Sequence, residues 1–128
     1  MTRSARPLER EVLSSIRLAL GLEPDLVLWR NAVGQADVAD RAGARRLVYG
    51  LAVGSADLVG ILAVRDGATG AAVGRFVAIE VKRPGEKARP EQAQWLALVR
   101  RMGGFACVVV SVEEARAAID RARGGAYQ

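Results

Sequence analysis

The residue types and spacing best suited to chemistry lie at the end of one apolar run. Glu80 and Lys82 alternate there with Ile79 and Val81. In a β-strand alternate side chains point to opposite faces, so Glu80 and Lys82 share a face. Charged groups at the end of a buried strand must be paired or must bind something, because isolated burial is costly. Asp57 begins another apolar run about one hairpin upstream, and it converges on Glu80 if the two strands are neighbours.

Two adjacent carboxylates repel each other unless a cation lies between them. Oxygen ligands of this hard type favour Mg²⁺ or Mn²⁺. Lys82 would then lie beside the metal, where it is suited to orient water or to offset charge on a phosphorane-like transition state. The simpler alternative is a surface salt bridge between Glu80 and Lys82, with Asp57 as a turn residue.

The composition excludes several other chemistries. The chain has no histidine, which removes histidine acid–base catalysis, Ser-His-Asp and Cys-His arrangements and the usual zinc ligands. A single cysteine, Cys107, cannot form an internal disulfide and suggests a reducing cytoplasm; its apolar surroundings predict a buried, inert thiol. The net charge of +5 and the isoelectric point near 10.3 favour a polyanionic partner, either nucleic acid or an anionic membrane surface.

The whole chain, residues 1–128, is expected to form a single globular domain, because hydrophobic residues make up 51% and charged residues 26%. Residues 47–64 are apolar enough to be considered as a membrane span, but Asp57 would lie at its centre. Two short strands joined by a turn explain the segment better. With no apolar signal core at the N-terminus, we expect a cytoplasmic protein without a membrane partner.

The apolar periodicity predicts an order of helix, several strands, helix, strand, helix. The predicted elements are a helix from Pro7 to about Leu20, a strand at 26–30, a loop at 31–46, strands at 47–53 and 57–64 around a turn at 54–56, a turn region at 65–74, a strand at 75–82, a helix from Pro90 to about Met102, a strand at 105–110 and a helix from Ser111 to about Arg123. A helix between two buried strands implies a right-handed crossover and a mixed α/β sheet.

Three segments, in order, resemble the VRR-NUC family of the PD-(D/E)XK nuclease superfamily. They are GSADLVG at 54–60, GRFVAIEVK at 74–82 and RPEQ at 89–92, and the resemblance extends to WRN at 29–31, to Gly34 and to an acidic helix start at Glu9. The acidic half-motif is Ser-Ala-Asp here rather than Pro-Asp. The resemblance implies a restriction-endonuclease-like core, with a mixed central sheet flanked by helices.

The resemblance also implies roles for individual residues. Asp57 and Glu80 would bind the metal together with the backbone carbonyl of Val81, Lys82 would assist the attacking water, and Gln92 would complete the site. Spacing supports the last role, because Gln92 precedes the apolar positions of its helix by three, four and seven residues. A partly buried glutamine whose hydrogen bonds go to the backbone is the alternative.

A further metal-binding carboxylate from the first helix is either Glu9 or Glu11. Glu9 lies three and seven residues before Val12 and Ile16, on the apolar stripe, whereas Glu11 shares a face with serines. Periodicity therefore selects Glu9. Its alternative role is a favourable interaction with the helix dipole.

Several cations surround these motifs and are candidates for contact with DNA phosphates. They are Arg83, Lys87 and Arg89 after the catalytic strand, Arg45 and Arg46 before the second strand and, with less direct support, Arg30 with Asn31. Solvated surface charge is the alternative for each of them.

Together these features predict a Mg²⁺- or Mn²⁺-dependent endonuclease that recognises DNA structure, since no base-reading module is visible. Small stand-alone members of the resembling family are associated with branched DNA, including four-way junctions, and act as homodimers. The alternatives are a flap, nicking or partner-directed nuclease, a restriction-like effector that cuts ordinary duplex, and a non-catalytic DNA-binding module.

Overall fold

The computed structural model describes residues 8–128, so the predicted helix start at Pro7 lies outside the described residues. Its elements are α1 (Glu9–Leu20), β1 (Leu26–Arg30), β2 (Gly34–Asp40), β3 (Gly43–Tyr49), β4 (Leu58–Arg65), β5 (Ala72–Val81), α2 (Pro90–Arg101), β6 (Phe105–Val109) and α3 (Val112–Arg123). The last helix begins as predicted, with the Ser111 hydroxyl accepting a hydrogen bond from the Glu114 backbone N–H at 3.1 Å.

A four-stranded sheet in the order β1-β4-β5-β6 forms the centre of the molecule. The pairs β1–β4 and β4–β5 are antiparallel, whereas β5 and β6 are parallel. Parallel neighbours need a crossover connection, and α2 provides it. The predicted mixed sheet is therefore confirmed.

Helices cover both faces of this sheet, as predicted. On one face α1 and α3 pack against the larger core, which includes Ile16, Leu58, Ile79, Phe105 and Ile119, all with no exposed surface. On the other face α2 packs Leu96 and Val99 against the small side chains of Ala78 and Ala106. Because the second half of β5 and most of β6 are covered on both sides, these segments are almost continuously apolar.

The prediction of a loop at residues 31–46 was wrong. Most of this segment belongs to an antiparallel hairpin in which β2 pairs with β3, in a sheet of its own. Gly43, at a φ of 116°, follows the turn in a conformation that favours glycine. Neither strand buries a side chain, so the alternation of apolar and polar residues that signals a half-buried strand is missing.

The strand predicted at 57–64 is confirmed as β4, but its predicted pairing with a strand at 47–53 was wrong. β3 ends at Tyr49 and pairs with β2, whereas β4 begins at Leu58 and lies between β1 and β5. Gly50 and Gly54 have φ values of 92° and 83°, and they turn the chain between the two strands. A side chain at Gly54 would meet the Glu91 carbonyl of α2, so the turn packs directly against that helix.

Smaller differences concern strand ends and exposure. The predicted turn at 65–74 is shorter, since β5 begins at Ala72, and the strands predicted to end at Lys82 and Val110 each end one residue earlier.

Cys107 is buried as predicted, and burial raises the pKa of its thiol to about 12, which keeps it unreactive. No helix among residues 8–128 is long and apolar enough to span a membrane.

Candidate active site

The structure brings Asp57 and Glu80 together at one end of the central sheet. Leu58 on β4 is paired with Ile79 on β5, so the residue before Leu58 lies beside the residue after Ile79. An Oδ2 atom of Asp57 accepts a hydrogen bond from the Val81 backbone N–H at 2.8 Å. The antiparallel register of β4 and β5 therefore places the Asp57 and Glu80 carboxylates next to each other.

Glu80 is a buried carboxyl group, only 2% exposed. Its Oε1 accepts a hydrogen bond from Gln92, and its Oε2 has no partner among the described residues. Burial is the main cause that raises the pKa of Glu80 to about 8. The adjacent Asp57 carboxylate adds to the rise, because it can accept a hydrogen bond from protonated Glu80 and repels the ionised form. Lys82 acts in the opposite direction, and Glu9 adds to the rise. This buried acid is therefore largely protonated near neutral pH unless a cation compensates its charge.

Glu9, rather than Glu11, points into the same cavity as the carboxylate pair. It is the first residue of α1, and its Oε1 is buried without a partner among residues 8–128. Glu11 is exposed, and its side chain accepts a hydrogen bond from the Leu8 backbone N–H at 3.1 Å. Two buried carboxylate oxygens, one on Glu9 and one on Glu80, therefore border the same cavity and accept no hydrogen bond from residues 8–128.

Gln92 hydrogen-bonds both to the backbone and to a predicted metal ligand. Its Oε1 accepts a hydrogen bond from the Arg89 backbone N–H at 2.9 Å, which completes the first turn of α2. Its Nε2 donates to Glu80 Oε1 at 3.3 Å. The side chain thus links the start of α2 to the carboxylate at the end of β5.

The carboxylates face an open cavity of about 490 Å³. Its lining consists of Glu9, Asp57, Glu80, Val81, Lys82, Glu86, Lys87, Arg89 and Gln92. Arg83 is exposed on the same loop but does not line the cavity, and Arg89 pairs with Glu91 at 3.2 Å. Among the described residues, Lys82, Lys87 and Arg89 are therefore the basic side chains that line this cavity beside its carboxylates.

These groups fit a hard divalent cation, because unpartnered carboxylate oxygens are its preferred ligands. Among residues 8–128, no three Asp, Glu, His or Cys side chains form a ready-made metal cluster. A metal held here would complete its coordination with backbone oxygen and water, as Mg²⁺ commonly does.

A second cavity, of about 430 Å³, adjoins the first and shares Asp57, Arg89 and Gln92 with it. Arg30 and Tyr49 also line it, which places Arg30 near the carboxylate pair as a candidate contact. The two cavities meet at Asp57, so this residue is accessible from both.

Asn31 and Ser55 form a structural network that the sequence did not reveal. Asn31 Nδ2 donates to Ser55 Oγ at 2.7 Å and to the Ala56 carbonyl at 2.9 Å, and Asn31 Oδ1 accepts from the Leu51 backbone N–H at 3.1 Å. The Asn31 backbone N–H also donates to the Asp57 carbonyl at 2.8 Å. Asn31 therefore fixes the turn that ends at Asp57, whereas the sequence suggested a contact with substrate. Both residues stand in the motifs quoted above, but polar residues in a turn carry no periodicity that would reveal such contacts.

A comparison with protein-family sequence models matches residues 41–113, more than half of the chain, to the VRR-NUC domain. The matched segment contains Asp57, Glu80, Lys82 and Gln92, whereas Glu9 lies before it. No curated protein sequence matches the chain. The observed mixed sheet flanked by helices is the restriction-endonuclease-like architecture of this domain, which acts as a nuclease on DNA. The chain therefore belongs to the VRR-NUC domain family.

Proposed function

We propose that the protein is a Mg²⁺- or Mn²⁺-dependent endonuclease that cleaves branched DNA, with the four-way junction as its best substrate. The observation that carries the proposal is the carboxylate pair of Asp57 and Glu80, with the unpartnered oxygen of Glu80, in a cavity open to solvent. A merely structural pair of acids would be expected to have its oxygens hydrogen-bonded.

The proposed metal ligands are Asp57, Glu80, the backbone carbonyl of Val81 and Glu9. A divalent cation bound by them would polarise the scissile phosphate and make water a better nucleophile at neutral pH. Glu80 must be ionised to act as a ligand, so its raised pKa makes metal uptake dependent on pH.

The other residues of the cavity would position substrate and water. Lys82 is charged and partly exposed beside Glu80, where it can hydrogen-bond the attacking water or the phosphate. Gln92 holds Glu80 in one orientation. Lys87 and Arg89, with Arg83 and Arg30 beyond the cavity, would hold neighbouring phosphates of the strand.

A homodimer would supply the two active sites that junction cleavage needs. In support, α2 leaves part of its sheet face uncovered, where Val27, Ile61 and Phe76 lie in one row across three strands and are 50%, 46% and 39% exposed. Trp29, 51% exposed, adjoins this row. An uncovered apolar surface of this kind is suited to contact a second copy of the chain.

The test is cleavage of a DNA panel in the presence of Mg²⁺ or Mn²⁺, with EDTA as the control. The panel contains linear duplex, nicked duplex, a flap, a splayed arm and a four-way junction of equal arm sequence. Preferential paired cuts in the junction support the proposal. Cleavage of flap or nicked DNA alone supports the alternative nuclease activities, equal cleavage of duplex supports a restriction-like effector, and binding without cleavage supports a non-catalytic module.

A further inference from the structure

The hairpin arm, defined as residues Gly34–Tyr49, is the part of the molecule that the proposed chemistry leaves unexplained. Within residues 8–128 its two strands pair only with each other, and none of its residues is buried. An isolated two-stranded hairpin is marginally stable in water. The arm contributes no side chain to either core cluster, so its surface is available to a partner.

The base of the hairpin arm lies at the active site. Tyr49, its last residue, and Val33, just before it, line the cavity that also contains Asp57. Asn31 contacts both ends of the segment that joins the arm to β4, through Leu51 at one end and Ser55 at the other. A duplex that lies along the arm would therefore reach the carboxylate pair at the base of the arm.

The distal half of the arm is rich in arginine. Arg41 lies in the turn, while Arg45 and Arg46 lie on β3 and contact Asp40 at 3.3 Å and Asp37 at 3.6 Å. All three arginines are exposed. Exposed ion pairs of this kind contribute little stability, so these arginines can exchange their carboxylate partners for phosphates.

The dimensions of the arm suit double-stranded DNA. Each strand has seven residues, which at about 3.4 Å per residue gives an arm roughly 20 Å long. A two-stranded ribbon is one of the two protein elements that the major groove of B-DNA admits. The arm could thus follow a duplex for roughly half a helical turn from the active site.

We propose that the hairpin arm binds the duplex next to the scissile phosphodiester, with Arg41, Arg45 and Arg46 contacting its phosphates. The inference depends on DNA cleavage by this chain and adds the element that holds the flanking duplex. A second copy of the chain is the competing occupant, since Leu47 and Val48 are 48% and 60% exposed. The arm carries three arginines and two aspartates, a net charge of +1, and it exposes arginines at its turn and on both faces of β3, which favours the polyanion.

The test uses the full chain and fluorescein-labelled DNA, with Kd measured by anisotropy over a range of salt concentrations. The variant replaces Arg41, Arg45 and Arg46 with alanine; the matched control replaces Arg17, Arg101 and Arg116, three exposed arginines that line neither cavity of the active site. Both lower the net charge equally, from +5 to +2. We expect the arm variant alone to weaken binding at least tenfold and to reduce the slope of log K against log salt by about one for each lost contact.

A reciprocal variant, Asp37→Asn with Asp40→Asn, frees the arginines from their partners while keeping a side-chain oxygen for the turn. We expect it to bind DNA more tightly than the wild type. Equal affinity of the arm variant and the arginine control, or no gain in the reciprocal variant, would overturn the inference.

Amide hydrogen exchange distinguishes the two occupants. Slower exchange over residues 34–49 on addition of DNA supports the proposal, whereas protection that rises with protein concentration in the absence of DNA overturns it in favour of a second copy. If the wild type cleaves DNA and the arm variant behaves like its control, only the arm assignment fails. If the wild type cleaves no member of the panel, the proposed nuclease function itself fails.

Discussion

Glu80 combines two features that destabilise a metal-free protein. Its side chain is almost fully buried, and one of its oxygens has no hydrogen-bond donor among the described residues. Asp57 beside it adds negative charge, which raises the pKa of Glu80 to about 8. A bound cation would compensate the charge of both groups, so the same residues that weaken the metal-free fold make a metal site.

The raised pKa predicts how the stability of the metal-free protein depends on pH. The folded-state pKa of about 8 exceeds the ordinary value of 4.5, so the folded state holds the Glu80 proton more tightly than the unfolded state does. The resulting contribution to the free energy of unfolding is fully present below pH 4.5. That contribution is lost as the pH rises towards and through 8, by at most about 1.4 kcal/mol per pH unit. Urea unfolding in EDTA between pH 5 and 9 should show this decline relative to Glu80→Gln, which cannot ionise. Parallel curves for the two proteins would contradict the burial of an ionisable Glu80.

Metal binding should stabilise the wild type and not the carboxylate variants. At a Mg²⁺ or Mn²⁺ concentration of a hundred times Kd, linkage predicts a gain of about 2.7 kcal/mol. Asp57→Asn and Glu80→Gln should abolish this gain, measured by thermal unfolding, and lower cleavage at least a hundredfold. A variant that keeps both the stabilisation and the wild-type rate would remove its residue from the site.

The two acids of α1 should differ in effect although they are two residues apart. Glu9→Gln changes an oxygen that has no hydrogen-bond partner among residues 8–128 and borders the cavity, so cleavage should fall at least tenfold. Glu11→Gln affects only an exposed hydrogen bond to the Leu8 backbone N–H, so cleavage should stay within twofold. Single-turnover rates at saturating metal check this, and the reverse pattern would show that α1 presents its other face to the sheet.

At the scale of elements, the parts of the fold that the sequence predicted are those packed on the central sheet. Strands β5 and β6 and helix α2 contact the cores, and burial imposes the apolar pattern from which they were predicted. The hairpin arm buries nothing, so its strands carry no such pattern, and all but residues 47–49 of the arm were predicted as a loop. Glu80 was predicted from the alternation in β5 and Asp57 from its position one hairpin upstream. The contacts of Asn31 depend instead on the path of a turn between strands, which periodicity does not define.

Those contacts make Asn31 a positioning residue for Asp57. Asn31→Ala removes three side-chain hydrogen bonds and should cost about 1–3 kcal/mol in the free energy of unfolding. Because the turn ends at Asp57, we also expect weaker metal binding and a lower kcat with little change in DNA affinity.

Asp66→Ala is the matched control, since the Asp66 side chain accepts two backbone hydrogen bonds in the turn between β4 and β5. Its residue lines neither cavity of the active site, so it should lower stability without changing kcat. Calorimetric metal titration and cleavage assays distinguish the two variants. Equal kcat and metal affinity in Asn31→Ala and the wild type would leave Asn31 with a purely structural role.

At the scale of the whole molecule, the active site and the uncovered sheet face belong to different parts of the same sheet. The carboxylates lie at the start of β4 and the end of β5, near the beginning of α2. The half-exposed Val27, Ile61 and Phe76 lie further along the strands, where α2 covers the sheet only in part and its Trp95 contacts Phe76. Association through that face would leave both active sites open. A dimer of this kind could contact two strands of a branched DNA at once, which one cavity cannot do.

The paired incision of a junction provides the last prediction. If two subunits each cut one strand, a dimer with a single functional site should nick a four-way junction without resolving it. Mixing the wild type with Asp57→Asn in equal amounts should give about half mixed dimers, if the subunits exchange freely and associate at random. Nicked junctions should then accumulate, while resolved products fall to about a quarter of the wild-type level. A plasmid-borne cruciform separates these outcomes, because resolution gives linear DNA and a single nick gives an open circle. A protein that remains monomeric both free and on the junction would refute the junction-resolving proposal, and metal-dependent cleavage by each monomer would still be expected from the carboxylate site.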